Sequence, residues 1–179
     1  MKYILAVDPS LTSTGYCVLN KNKKIIAIDK ITSSTKDGTE NQRIHNILHT
    51  LDVMVNIYEI KEIAIEDGFT GPNKKGSLGL AKLRGAIVGY FGMKDCIVNE
   101  SEPKSTRVNM GLKGNASKEE VAEYILNLYP ELENIIGPYS DKNNKKKTSD
   151  MYDSVCIGLA YLNKQERWYD DEWWDSFLF

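Results

Sequence analysis

Short apolar runs alternate with polar turns at the start of the chain. Residues 2–8 form an apolar run that ends in an acid, and a second run follows over 14–19 after a short turn. Residues 24–31 are rich in β-branched side chains and alternate in polarity towards their end. Runs of this length bounded by turn residues are typical of strands, and short turns favour antiparallel pairing. The N-terminal segment therefore predicts three sequential strands.

The remainder of the chain alternates between helical periodicity and short apolar runs. Apolar residues recur every three or four positions from Ile44 to Tyr58, which predicts an amphipathic helix. The further predicted elements are a strand at 63–66, a helix at 78–91, a strand at 96–98, a helix at 117–129 and a helix at 151–162. Strands separated by helices are usually parallel. The pattern thus predicts an α/β fold with a mixed five-stranded sheet, three antiparallel strands and then parallel strands, and helices on both faces.

Length and composition limit the class of protein. The chain has 179 residues, 41% of them hydrophobic, and a net charge of −2, which suits one domain with a sizeable core. No stretch approaches the roughly 18 apolar residues of a membrane span, and the N-terminal run is too short for a signal peptide. We therefore expect a soluble cytoplasmic protein, associated with a nucleoid or, if phage-encoded, in the host cytoplasm. The separated cysteines in apolar runs predict buried free thiols at Cys17, Cys96 and Cys156.

Charge is unevenly distributed along the chain. The stretch 72–118 holds nine basic residues against three acidic ones, and the loop 141–147 adds four lysines against one acid. The last segment, 166–179, has five acids and one arginine. A nearly neutral protein with such a basic stretch can present a cationic face to nucleic acid, although a solvated lysine-rich surface has the same pattern.

Four acids stand at the boundaries of predicted elements, where a charge can face a cleft. They are Asp8 and Glu66 at strand ends, and Asp150 and Asp153 at the start of the last helix. Residues three apart share a helix face, and strand ends line the crevice of an α/β sheet, so the four can converge. Converging carboxylates need cations, and oxygen ligands without His or Cys suit Mg²⁺ or Mn²⁺. Two such ions about 4 Å apart can activate water and stabilise the leaving oxygen of a phosphodiester.

Each acid also has an ordinary structural interpretation. Asp8 precedes a proline and suits a turn, and Asp150 suits a helix cap. Glu66 and Asp153 can be solvated surface acids. The occurrence of all four at element boundaries favours a shared metal site over four separate explanations.

Several short motifs contain these acids and their neighbours. In chain order they are Ala6-Val7-Asp8-Pro9-Ser10 with Thr14-Gly15-Tyr16, Ile65-Glu66-Asp67-Gly68-Phe69, Ser101-Glu102-Pro103-Lys104 with Gly114-Asn115-Ala116-Ser117-Lys118, and Ser149-Asp150-Met151-Tyr152-Asp153-Ser154. In order and spacing over residues 3–163, they resemble the motifs of RuvC-type Holliday-junction resolvases, which belong to the RNase H-like superfamily. The family often has Gly where this chain has Ser10, a change that still permits a tight turn.

The resemblance implies an RNase H-like fold and a specific reaction. Members of this family are homodimeric, Mg²⁺-dependent endonucleases that nick two opposing strands of a four-way DNA junction. By resemblance, the metal-binding catalytic residues are Asp8, Glu66, Asp150 and Asp153. We expect two Mg²⁺ ions per site, with Mn²⁺ able to replace them.

The resemblance also assigns residues to DNA. Lys104 and Lys118 become candidates for phosphate contacts near the scissile bond, and Phe69 becomes a candidate aromatic probe at the junction centre. Together with the basic stretch, this gives the candidate DNA-binding residues Phe69, Lys74, Lys75, Arg84, Lys104, Arg107 and Lys118.

The C-terminal segment lies beyond the resemblance. We divide the chain into a nuclease domain at 1–165 and an acidic, aromatic tail at 166–179. The tail can pack on the domain, complete a dimer, bind a protein partner or mimic the charge of DNA.

Three other functions fit parts of the sequence. An RNase H-like nuclease that cuts flaps, forks or RNA–DNA hybrids needs the same acids. The segment 8–15 also resembles the phosphate-binding hairpin of actin-like sugar kinases, but those proteins carry two such domains and are about twice as long. A non-catalytic junction-binding protein is the third alternative, and the full set of mutually repelling acids argues against it.

Overall fold

The computed structural model describes residues 2–67, 74–141 and 147–175, without the side chains of 74–75 and 168–175. The strands are β1 (Tyr3–Asp8), β2 (Ser13–Asn20), β3 (Ile25–Thr32), β4 (Glu62–Glu66) and β5 (Ile97–Ser101). The helices are α1 (Glu40–Ile57), α2 (Lys74–Gly92), α3 (Pro103–Asn109), α4 (Lys118–Leu128), α5 (Leu132–Ile136) and α6 (Ser149–Asp175), with a 3₁₀ turn at Thr35–Asp37. Within these ranges, no helix is long and apolar enough to cross a membrane.

The five strands form one mixed sheet in the order β3-β2-β1-β4-β5. The pairs β1–β2 and β2–β3 are antiparallel, and β1–β4 and β4–β5 are parallel. Parallel pairing of β1 with β4 aligns Val7 with Ile65, so the two strands end side by side. The predicted mixed α/β sheet is therefore confirmed.

Alternate side chains of β1 enter two separate cores, one on each face of the sheet. Leu5 and Val7 pack with residues of α1 and α2, whereas Ile4 and Ala6 pack with residues of α4 and α6. All four side chains are fully buried. Full burial on both faces explains why this strand is a continuous apolar run in the sequence. The helices on both faces give a three-layer α/β/α architecture.

Helix α6 lies directly on the sheet because a glycine faces β1 and β2. A β-carbon at Gly158 would come closer than 3.0 Å to the side chain of Leu19 and would touch that of Ala6. Next to this contact, the Cys17 thiol donates to the Ser154 carbonyl oxygen at 3.3 Å. As predicted, all three cysteines are free and buried. The close approach brings the first turn of α6 to the end of β1.

The structure differs from the sequence prediction in three elements. The short helices α3 and α5 were not predicted, and α6 extends past the predicted end at residue 162 to Asp175. Pro103 occupies the first turn of α3, shortly after β5. A backbone N–H at this position has no partner within the helix, so a proline there costs no hydrogen bond. Past residue 162, α6 still contacts the rest of the chain, because Glu166 pairs with Lys23 at 2.6 Å and Arg167 donates to the Asn109 carbonyl oxygen at 3.0 Å.

Candidate active site

Two of the four acids come together because their strands are neighbours. Asp8 ends β1 and Glu66 ends β4, and the parallel register puts both at the same edge of the sheet. Side chains alternate along a strand, so Asp8 lies on the same face as Ala6, which packs towards α6. Glu66 shares that face with Ala64 of β4.

The N-terminal part of α6 supplies the other two acids. Asp150 and Asp153 are three residues apart and share one helix face. A β-carbon at Gly15, the partner of Asp8 across β1 and β2, would come closer than 3.0 Å to the backbone carbonyl of Asp150. This contact fixes the start of α6 against the end of β1. Carboxylate oxygens of Asp8, Asp150 and Asp153 consequently lie within 4.8 Å of one another.

Glu66 lies beside this group of three aspartates. With Asp153 and Arg107 it lines a small cavity between β4, α3 and α6. Burial and the neighbouring Asp153 carboxylate raise the pKa of Glu66 to about 7, against the opposing influence of Arg107 and Lys118. The predicted convergence of four acids thus holds in the structure, with Glu66 at the margin of the cluster.

Repulsion within the cluster disfavours four ionised carboxylates. Burial, followed by the charges of Asp153 and Glu66, raises the pKa of Asp8 well above its usual range. Burial also raises the pKa of Asp153, although Lys118 opposes the shift. Cations that neutralise the cluster would relieve this cost.

The donor set fits a hard divalent cation. All three clustered ligands are carboxylates, and no His or Cys thiolate joins them among the described residues. Asp150 is only 2% exposed, yet its Oδ2 atom has no hydrogen-bond partner there. A buried carboxylate oxygen without a donor is costly unless a cation binds it. The site therefore fits Mg²⁺ or Mn²⁺, which prefer oxygen ligands.

Two lysines contact the helix acids. Lys118, predicted as a phosphate contact, lies 2.6 Å from Asp153 Oδ2. Burial lowers the pKa of Lys118, but the charge and hydrogen bond of Asp153 have the larger combined effect. The pKa of Lys118 is therefore raised above its usual range. Lys147 lies 2.7 Å from Asp150 Oδ1. The sequence placed Lys147 in a basic loop but did not indicate this contact, because Lys147 precedes α6 and helical spacing does not fix the direction of its side chain.

The remaining predicted DNA-binding residues are spread over the neighbouring surface. Arg107 lines the small cavity beside Glu66 and Asp153, and its Nε atom is buried without a hydrogen-bond partner in the described part of the chain. Lys104 is exposed on α3, and its aliphatic chain packs against Gly114. Arg84, on α2, pairs with Asp67 at 2.6 Å and also with Glu100. Phe69 and the side chains of Lys74 and Lys75 lie outside the described residues.

Comparison with known proteins identifies the family. A family model described as crossover junction endodeoxyribonuclease RuvC matches residues 4–142. The chain belongs to the RuvC family. RuvC from Helicobacter pylori is 33% identical over 90% of this chain and 96% of its own length. RuvC from Ehrlichia chaffeensis is 33% identical over 88% of this chain and 94% of its own length.

Solved structures of resolvases share the fold. Thermus thermophilus RuvC, solved in complex with a Holliday junction substrate, is similar with a TM-score of 0.75 over 93% of this chain and 96% of that chain, at 15% identity. The yeast mitochondrial Holliday junction resolvase is similar with a TM-score of 0.67 over 98% and 84% of the two chains, at 14% identity. The RNase H-like architecture expected from the RuvC motifs is therefore confirmed along nearly the whole chain.

Proposed function

We propose that this protein is a metal-dependent endonuclease that resolves four-way DNA junctions by paired nicks. The observation that carries the proposal is the cluster of Asp8, Asp150 and Asp153, with Glu66 beside it, in a chain of the RuvC family. The named relatives are crossover junction endodeoxyribonucleases, which supports DNA cleavage as the reaction.

The acids have separate tasks in this proposal. Asp8, Asp150 and Asp153 provide the oxygens that hold divalent cations, and Glu66 completes the set from β4. The four acids are carried by two strand ends and the start of one helix. Such regular elements are rigid, so they keep the oxygens in place without a conformational change. Bound Mg²⁺ or Mn²⁺, two ions per site, would lower the pKa of a water molecule and stabilise the leaving oxygen.

Basic residues orient the phosphodiester in this proposal. Lys118 and Arg107 lie in the cluster and can neutralise charge on the scissile phosphate. Lys104, at the start of α3, is exposed and suited to a neighbouring phosphate. The outer DNA contacts would come from Lys74, Lys75 and Arg84, and stacking of Phe69 on an unpaired base would favour an open junction centre.

A homodimer would cut both symmetry-related strands of a junction. One acid cluster per subunit gives two sites related by a two-fold axis. Helix α2 supports this proposal, because Leu78 is 58% exposed and both Gly85 and Gly89 face open space. A surface of small and apolar residues allows a second helix to approach closely. We also propose that a protein partner binds the acidic, aromatic segment 166–179 beyond Glu166 and Arg167, which contact the domain.

Incubation of the purified protein with labelled DNA tests the proposed reaction. The substrates are a four-way junction, a flap, a fork, an RNA–DNA hybrid and a linear duplex, each with Mg²⁺ or with EDTA. We expect paired nicks in the junction with Mg²⁺ only. Binding without cleavage would indicate a junction-binding protein, and equal cutting of flaps and junctions would indicate a less selective nuclease.

Amide variants connect this reaction to the acid cluster. Asp8→Asn and Glu66→Gln should lower cleavage by orders of magnitude while junction binding persists, because each removes a metal ligand with little change in shape. Asp29→Asn, on the exposed part of β3, is the matched control and should cut normally. Near-normal cleavage by Asp8→Asn would contradict the assignment of the active site.

A further inference from the structure

Lys147 forms an ion pair with one carboxylate oxygen of Asp150, a proposed metal ligand. Its ammonium lies 2.7 Å from Asp150 Oδ1, and it is also 3.8 Å from Asp141 Oδ1. The Asp150 side chain is 3% exposed and that of Lys147 is 23% exposed, so water screens this pair weakly. The other oxygen, Asp150 Oδ2, has no partner within the described ranges. Asp150 therefore has one oxygen neutralised by an ammonium and one that is free for a cation.

The backbone around Lys147 is held in place on several sides. The Lys30 ammonium, from β3, donates to the Lys147 carbonyl oxygen. The next residue, Thr148, donates its backbone N–H to the Ser140 carbonyl oxygen at 2.9 Å and its hydroxyl to the Pro138 carbonyl oxygen at 2.9 Å. These contacts hold the backbone of Lys147 immediately before α6, at the position from which its side chain reaches Asp150.

We propose that Lys147 is a resident counter-ion of the metal site, which competes with a divalent cation for Asp150 and passes to a DNA phosphate when the substrate binds. The proposal rests on the proposed metal-dependent nuclease function. An ammonium and a divalent cation on one carboxylate repel each other, so Lys147 lowers the metal affinity of the DNA-free protein. A phosphate that enters the cluster offers the ammonium a new partner and releases Asp150.

This arrangement couples metal binding to DNA binding. A ligand that draws Lys147 away from Asp150 favours the cation, and by thermodynamic reciprocity the cation favours DNA by the same factor. Lys118 plays a comparable part at Asp153 Oδ2, at a distance of 2.6 Å. Lys147 differs because its partner Asp150 is nearly inaccessible to solvent and has no other donor among the described residues.

Binding of Mn²⁺ to the DNA-free protein, followed by electron paramagnetic resonance, tests the competition. Lys147→Gln should bind Mn²⁺ about 5- to 150-fold more tightly than the wild type, the usual range for coupled sites. Lys147→Arg retains the charge and should bind as the wild type does. The matched control is Lys23→Gln, because Lys23 forms an ion pair of similar length with Glu166 at the opposite end of the sheet. Equal or weaker binding by Lys147→Gln would overturn the proposal.

Junction binding in EDTA tests the second half of the proposal. If Lys147 passes to a phosphate, Lys147→Gln should reduce the slope of log affinity against log salt by about 1, whereas Lys23→Gln should leave it unchanged. An unchanged slope for Lys147→Gln would contradict the transfer to phosphate. Absence of Mn²⁺ binding from every variant would contradict the metal site itself, and with it this inference, whereas measurable but equal binding contradicts the role of Lys147 alone.

Discussion

At the scale of single residues, the cluster of acids has an energetic cost in the metal-free protein. Burial and the charges of Asp153 and Glu66 raise the pKa of Asp8 well above its usual range. The same shift means that the folded state disfavours an ionised Asp8 relative to the unfolded chain. Stability of the metal-free protein and the proposed metal binding therefore make opposite demands on this position.

Removal of the charge at Asp8 should stabilise the metal-free protein. We expect Asp8→Asn to raise the free energy of unfolding in EDTA by about 1–2 kcal/mol, because it relieves repulsion and keeps the shape. Urea denaturation measures this difference. Asp29→Asn, which changes an exposed acid on β3, should have an effect within about 0.5 kcal/mol of zero. A destabilised Asp8→Asn would contradict the repulsive character of the cluster.

The raised pKa of Glu66 predicts how stability in EDTA depends on pH. Its pKa is about 4.5 in the unfolded chain and about 7 in the folded one, so the folded state holds the proton more tightly. The contribution of Glu66 to stability is full below pH 4.5 and is lost as the pH rises to about 7, by about 3 kcal/mol at most. Thermal melts in EDTA at pH 4.5 and pH 7.5 should show a smaller pH dependence for Glu66→Gln than for the wild type. Glu123→Gln, an exposed change on α4, should melt with the wild-type pH dependence.

Single residues also show what sequence can and cannot predict of the site. Asp8 and Glu66 were predictable because a strand end is visible as an apolar run that stops at an acid. The contacts of Arg107 and Lys147 were not, because the direction of a long flexible side chain depends on neighbours from other elements. A sequence pattern indicates which element carries a residue, but not where a long side chain on that element points. The same pattern is compatible with a basic side chain that faces solvent and with one that faces the acid cluster.

At the scale of elements, periodicity predicted those that are long enough to show it. Helix α1 extends over 18 residues and repeats its apolar face several times, whereas α3 and α5 have seven and five residues, less than two full turns each. The pairing of β1 with β4 was predictable only as a parallel crossover, since no local feature fixes which strands become neighbours. This pairing is nevertheless what brings two acids together.

Helix α2 allows a direct test of the proposed dimer. Gly89 lies in open space on the exposed side of this helix, so a long charged side chain there fits the monomer but obstructs a partner helix. We expect wild-type protein to sediment as a dimer at micromolar concentration and Gly89→Lys to sediment as a monomer with normal secondary structure. Glu123→Lys on α4, which packs on the other face of the sheet, is the control. A wild-type protein that stays monomeric when bound to a junction would contradict the proposed dimer.

At the scale of the whole molecule, internal ion pairs reduce the charge that the basic stretch can offer to DNA. Of the seven basic side chains of this stretch that the structure describes, four pair with acids: Lys82, Arg84, Lys94 and Lys118. The surface field is therefore weaker than the count of basic residues in 72–118 indicates. Folding places acids from distant elements beside these residues, which charge counting along the chain does not reveal.

The paired and unpaired basic residues should contribute differently to DNA binding. Lys104 is exposed and forms no ion pair within the described ranges, so Lys104→Gln should reduce the salt dependence of junction binding by about one counterion. Arg84 must exchange Asp67 and Glu100 for a phosphate, and Arg84→Gln should therefore cause the smaller change. Fluorescence anisotropy at several salt concentrations measures both slopes. A larger effect of Arg84→Gln would contradict this order.

The contact between Gly15 and the Asp150 backbone has a consequence for the genetics of this protein. A β-carbon at position 15 meets a backbone carbonyl, which no change of rotamer can move aside. Gly15→Ala should shift the first turn of α6 and abolish junction cleavage, although the variant keeps all four acids. Glycine and alanine codons differ by one nucleotide, so a single base change can create a loss-of-function allele with an intact catalytic motif. A relative that carries every acid but has a larger residue here should likewise be inactive, whatever its motifs indicate.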